Sequence, residues 1–218
     1  MKKQLILSAI AAVALGAPAA SMAESLDFNY KVDRFADIEV LRYKVPDFEQ
    51  LTTQQKELVY YLTEAALYGR DILTDQNGKY NLAIRTTLEN IYKNYDGSKD
   101  DADYKGFVLY LKQVWFANGI HHHYSTDKFT PQFSQAFFET QVKKLSKKQL
   151  PLKKGQTVDA FLKEITPVIF DPTVMAKRVN QANGQDLILT SANNYYEGVT
   201  QAEVEQFYAA MKKTDNPE

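Results

Sequence analysis

Three histidines occur in the chain and they are consecutive: His121, His122 and His123. Imidazole changes charge near neutral pH and is the commonest nitrogen ligand for transition metals. On an extended backbone alternate side chains share a face, so His121 and His123 would present two rings to one ion, with Asp127 as a third ligand. The competing reading has the rings packing and hydrogen-bonding beside a pocket, because metal ligands normally come from spaced positions with supporting partners. Ser125 and Asp127 add the residue types of a hydrolytic triad. Triads are assembled by the fold from distant positions, so adjacency does not point to one. No glycine-bracketed serine, phosphate-cradling glycine loop, dinucleotide fingerprint or His-Glu-x-x-His helix occurs. The residues by themselves therefore assign no catalytic group and no metal ligand.

Composition narrows the classes further. Cysteine is absent, which removes disulfides, thiolate nucleophiles and sulfur-ligated metals together. A formal net charge of −1 predicts no nucleic-acid partner. With 218 residues, 44% apolar and 12% aromatic, the chain has material for a sizeable core. Lys143, Lys144, Lys147, Lys148, Lys153 and Lys154 form a basic run, read as a solvated helical face, with an anionic partner as the alternative. The paired aromatics Tyr60-Tyr61, Phe137-Phe138 and Tyr195-Tyr196 read as core or interface rather than a ligand platform.

The first 23 residues read as a secretory signal. Met1, Lys2 and Lys3 precede an apolar run from Leu5 to Leu15, and Ser21-Met22-Ala23 supplies small residues for cleavage after Ala23. Residues 24–218 would then form one mostly helical region in the periplasm or outside the cell. Once the signal is removed, no membrane association is expected. An N-terminal membrane anchor is the alternative reading of the same run.

Periodicity gives a mainly α chain with a minor β part. Alternation over Asp37 to Lys44 predicts one strand, ended by Pro46. From Thr52, Leu58, Leu62, Ala65, Ala66, Ile72 and Leu73 recur at helical spacing, and Thr52 with Gln55 fits a capping box. Asp75 to Gly78 reads as a turn. Further helices are expected at about Tyr80 to Tyr95, Asp103 to Phe116, Gln132 to Lys147 and Val158 to Phe170. Asn118-Gly119 should stop the second of these, and Pro167 should bend or end the last. Ile120 to Pro131 reads as extended loop and Pro172 to Asn180 as a short helical piece. Leu187 to Leu189 reads as a brief strand or a packed linker. Thr200 and Glu203 open a final helix carrying Val204, Phe207, Tyr208 and Met211.

Four segments, in order, resemble the leading part of the dipeptidyl peptidase III family. They are Lys56 to Gly69 (Lys-Glu-Leu-Val-Tyr-Tyr-Leu-Thr-Glu-Ala-Ala-Leu-Tyr-Gly), Val114 to Gly119 (Val-Trp-Phe-Ala-Asn-Gly), Tyr124 to Pro131 (Tyr-Ser-Thr-Asp-Lys-Phe-Thr-Pro) and Asn194 to Thr200 (Asn-Tyr-Tyr-Glu-Gly-Val-Thr). The resemblance implies a two-lobed zinc peptidase that removes dipeptides from the free N-termini of short peptides, in which a zinc-bound water attacks the carbonyl. This chain would be its N-terminal portion, with helical layers contributing to the lower lobe. The family's His-Glu-x-x-Gly-His zinc helix does not occur here, so the resemblance implies zinc for the complete enzyme and none for this chain. It also implies that Tyr124 lines a substrate pocket; the family carries other residue types at His121 to His123, and His123 is read as flanking the same subsite from its position beside Tyr124 alone. The alternative is a stand-alone exported peptide-binding or scaffold module without catalysis.

Overall fold

A computed structural model describes residues 28–214. The expected signal segment lies outside the described residues. The chain is about half helical with a small antiparallel sheet, as the periodicity predicts. It divides into two compact units, residues 28–51 and residues 52–214.

The first unit is a hairpin of β1 (Lys31–Phe35) and β2 (Ile38–Leu41), followed by a short 3-10 turn at Phe48–Gln50. The expected strand is present but shorter, and it has a partner that periodicity missed. β1 reads Lys-Val-Asp-Arg-Phe and is almost wholly exposed, so it carries no clean alternation. Ala36 turns the chain with φ 48°, and Lys31 pairs with Glu39 across the strands at 2.9 Å.

In the second unit the helices are α1 (Thr53–Tyr68), α2 (Arg70–Gln76), α3 (Asn81–Asn94), α4 (Ala102–Ala117), α5 (Gln135–Lys144), α6 (Val158–Phe170) and α7 (Gln201–Thr214). Local capping chemistry starts most of them. Thr52 and Gln55 form the expected capping box, and Thr200 and Glu203 form another at α7. Thr157 accepts the Ala160 N–H at α6, and Asp101 accepts the Tyr104 N–H at α4. Pro167 does not end α6, which runs on to Phe170. Asn118 rather than Gly119 takes the left-handed cap of α4, with φ 52°.

Three sequence expectations need correction. The helix from Thr52 is not continuous, because it breaks at Gly69, and Asp75 and Gln76 belong to α2 rather than to a turn. No regular helix forms in Pro172 to Asn180, where Lys177 instead makes a β-bridge to Asp127. Leu187 to Leu189 is a turn held by Asp186, whose carboxylate accepts the Ile188 and Leu189 N–H groups at 2.9 Å.

The core lies between α3, α4, α5 and α6. Ile84, Leu88 and Ile91 of α3 meet Phe107, Tyr110, Leu111 and Val114 of α4, while Phe138 and Val142 of α5 face Phe161, Ile165 and Ile169 of α6. Phe133 lies among the rings, edge-on to Phe107 at 5.7 Å and to Phe170 at 5.4 Å. Each buried large apolar side chain contributes about 1.5–3 kcal/mol, and each aromatic pair adds about 0.5–1.5. Asp103 of α4 fixes the approach of α5 by accepting both the N–H and the hydroxyl of Ser134 at 2.7 Å.

One buried group works against this core. The Tyr110 hydroxyl is fully buried and has no hydrogen-bond partner, and burial pushes its pKa far above the ordinary phenol range. A buried unsatisfied hydroxyl costs about 1–3 kcal/mol. Tyr110→Phe is therefore expected to stabilise the fold by about 1 kcal/mol, read as a higher urea midpoint. A lower midpoint would show that the hydroxyl has a partner in solution.

The helices at the ends of this unit behave differently. α1 contains no buried residue, although Leu58, Val59, Tyr60, Tyr61, Leu62, Leu67 and Tyr68 are spread around its whole circumference. Phe207, Tyr208 and Met211 of α7 are likewise exposed. Of the paired aromatics, Phe138 is core and Phe137 packs half-buried against it, while Tyr60, Tyr61, Tyr195 and Tyr196 face water. Among the described residues no helix is long and apolar enough to cross a membrane.

Candidate functional site

The histidine segment leaves the C-terminus of α4 and is held there by two side-chain amides, one buried and one half-buried. Asn81, at the start of α3, donates to Thr74 O at 3.2 Å and accepts the Ile120 N–H at 3.3 Å. Asn77 donates to Asn118 O at 3.1 Å. Gly119 is required at this crossing: its φ is +149°, and a Cβ there would lie 2.4 Å from the Asn81 Nδ2.

From Ile120 the chain is extended, as expected, and then doubles back. The Phe129 N–H donates to Ile120 O at 2.9 Å, and His121 bridges to Lys128. A third segment joins on the other side, with Lys128 N donating to Ala176 O at 3.1 Å and Arg178 N to Thr126 O at 2.8 Å. The tip between these arms is His122 to Asp127, and Thr126 sits at φ 63°. Tyr124 projects from the tip with 85% of its surface exposed. Its ring lies 4.3 Å from that of His123, which also meets Phe116 edge-on at 5.0 Å. Tyr124 and His123, the two expected binding residues, are thus adjacent and in contact, Tyr124 exposed and His123 half-buried beneath it. The Arg178 guanidinium donates to His123 O at 3.2 Å and secures the base of the tip.

The three imidazoles have different surroundings. His121 is buried, with its Nε2 2.7 Å from Met175 O and its Nδ1 without a hydrogen bond. Burial pushes its pKa down to about 4, helped by Lys128 and Arg178 and opposed by the Met175 carbonyl and Asp127. The His122 Nδ1 instead accepts two backbone N–H groups, from Tyr124 at 3.2 Å and Ser125 at 3.1 Å. His123 lies in the turn, not on the straight extended arm that would set it alongside His121. Among the described residues no group of three His, Asp or Glu side chains is placed to hold a metal ion. The His121 Nε2 and the His122 Nδ1 are both engaged by backbone. Asp127 is engaged as well, since its ion pair with Lys177 and the Ser125 hydroxyl hold its carboxyl below the usual range.

Lys128 plays a part that the sequence did not signal. Its ammonium donates to Val168 O at 3.1 Å, Val174 O at 2.7 Å and Asp171 O. These carbonyls lie at and just beyond the C-terminus of α6, where a cation is favoured by the helix dipole. Burial holds Lys128 below the usual ammonium range, against the pull of Asp171. The tip is thereby pinned to the core helix from one side and to residues 175–179 from the other. A cavity of about 330 Å³ adjoins this pin, lined in part by Phe129, Pro131, Ile169 and Pro172. Neither a family model nor a curated protein matches this chain.

Proposed function

We propose that this chain is the N-terminal portion of an exported zinc-dependent dipeptidyl peptidase resembling dipeptidyl peptidase III, inactive by itself, with Tyr124 and His123 forming one wall of a subsite for short peptides. The observation that carries the reading is α1. α1 carries large apolar side chains on every side among its polar ones, yet it contains no buried residue to cover them. The exposed rings of α1 and α7 fit an element meant to pack inside a larger body. The exposed Tyr124 fits a pocket wall whose opposite wall lies in that body. Two of the four segments carrying the resemblance, Lys56 to Gly69 and Tyr124 to Pro131, include these exposed rings. Zinc and its catalytic ligands would be supplied from outside the sequence given.

Reading the gene beyond Glu218 tests this directly. The expected result is an open frame encoding His-Glu-x-x-Gly-His, and a stop codon with no such motif would favour the non-catalytic binding module. In the complete enzyme, Tyr124→Ala is expected to weaken binding of short apolar peptides roughly tenfold, about what is lost with one apolar contact surface. Its melting temperature should stay within about a degree of wild type, because so exposed a ring adds little to the core. A large fall in melting temperature would assign Tyr124 to packing instead.

A further inference from the structure

The His122 ring sits inside the loop it belongs to. Its backbone closes that loop twice: its N–H donates to Asp127 O at 2.8 Å, and its carbonyl accepts the Thr126 N–H at 3.1 Å. Its Nδ1 then accepts the N–H groups of Tyr124 at 3.2 Å and Ser125 at 3.1 Å. A single nitrogen lone pair therefore orders two consecutive amides at the tip that displays Tyr124. An imidazolium carries hydrogen on both nitrogens and has no lone pair to offer. Protonation at Nδ1 would set N–H against N–H twice, so the observed turn exists only with a neutral ring.

We propose that His122 is the positioning residue for Tyr124, and that protonating its ring releases the Tyr124–Ser125 turn. The release rests on the loop geometry alone, whereas its consequence for peptide binding rests on the subsite reading above. The groups around the ring favour a defined alternative for the cation. His123 lies at 4.4 Å, Tyr124 at 6.3 Å and the apolar Phe129 at 6.0 Å between ring centres. Asp127, ion-paired to Lys177, is the carboxylate that interacts electrostatically with His122. Lys128 and Arg178 face the neighbouring His121 from the two flanking segments. A protonated His122 thus loses two amides and finds an opposite charge within the same loop, while His121 stays bonded to Met175.

The test is a pH titration of the full chain, labelled with 15N and followed by NMR at the His122 ring nitrogens and at the Tyr124 and Ser125 amides. The expected result is that both amides shift together, at the midpoint of the His122 ring. His122→Asn offers an amide oxygen that accepts the same N–H groups without titrating, and should hold both amides fixed through that range. Stationary amides while the wild-type ring protonates would overturn the proposal. So would amides that follow Asp127 instead, or a His122→Asn variant titrating as wild type does. If that variant does not fold, the wild-type titration alone decides. Absence of peptide binding at any pH counts against the subsite reading, whereas stationary amides count against the role of His122.

Discussion

Gly106→Ala is expected to destroy the cooperative fold of residues 52–214, although on helix propensity alone it should help. Replacing glycine by alanine inside a helix gains about 1 kcal/mol. At Gly106, however, a Cβ would lie 1.8 Å from Gln132 O and 2.4 Å from Gln132 C, where real contacts essentially never fall below 3.0 Å. Both obstructing atoms are backbone, so no rotamer change relieves them. Gln132 is also held in place by its two successors in the chain. Phe133 is wedged between Phe107, Tyr110 and Phe170, and Ser134 is tied twice to Asp103 on the same helix as Gly106. Relief would require prising α4 from the start of α5 and opening the aromatic cluster. That should cost about 4 kcal/mol or more, a large share of the roughly 5–15 kcal/mol that holds a domain together. Gly69→Ala is the matched control. Gly69 has φ −70°, and its added Cβ would meet only Ala66 O, at 3.4 Å. It should stabilise by about 0.4–1 kcal/mol. Urea melts of the two variants should therefore move in opposite directions, and a cooperative Gly106→Ala transition near the wild-type midpoint would refute the close crossing.

These two glycines mark the boundary of what sequence alone reveals. Short-range rules are dependable here: both capping boxes, the Thr157 start of α6 and the spacing of Ile84, Leu88 and Ile91 all concern residues within a few positions of one another. The depth of Gly106 depends on Gln132, a neighbour only after folding. The α1 face shows a related limit. Selecting Leu58, Leu62, Ala65 and Ala66 as one stripe overlooks Val59, Tyr60, Tyr61, Leu67 and Tyr68 on the other sides, and periodicity does not say what covers a stripe. At the candidate site, the histidine run and Tyr124 stand out by residue type. Their surroundings do not, because the Lys128 pin reaches carbonyls at 168, 171 and 174, and the His121 partner is the carbonyl of Met175. A backbone oxygen has no identity in a sequence.

His121 should make the fold markedly acid-sensitive in a window that opens well above the usual carboxylate range. Its pKa is about 4 in the folded chain against 6.5 for an ordinary histidine, chiefly because burial disfavours the charged ring. A folded-state value below the unfolded one means that the unfolded chain takes up this proton first as pH falls. The stability tied to neutral His121 is thus intact above about pH 6.5, declines between 6.5 and about 4, and is spent below that. The loss over the window should be roughly 3 kcal/mol. Asp127, Asp171 and Glu164 all have lowered pKa values through hydrogen bonds and ion pairs, so they withdraw their stabilisation only at lower pH. His121→Gln isolates the effect, since the glutamine amide can donate to Met175 O and does not titrate. Subtracting its urea-derived stability from that of wild type at each pH removes contributions common to both chains, His122 and His123 included. The difference should fall steadily from pH 6.5 to 4, at a slope approaching one proton in mid-window. A difference that stays flat would mean that His121 keeps its charge on folding, either because water reaches the ring or because the bond to Met175 O outweighs burial.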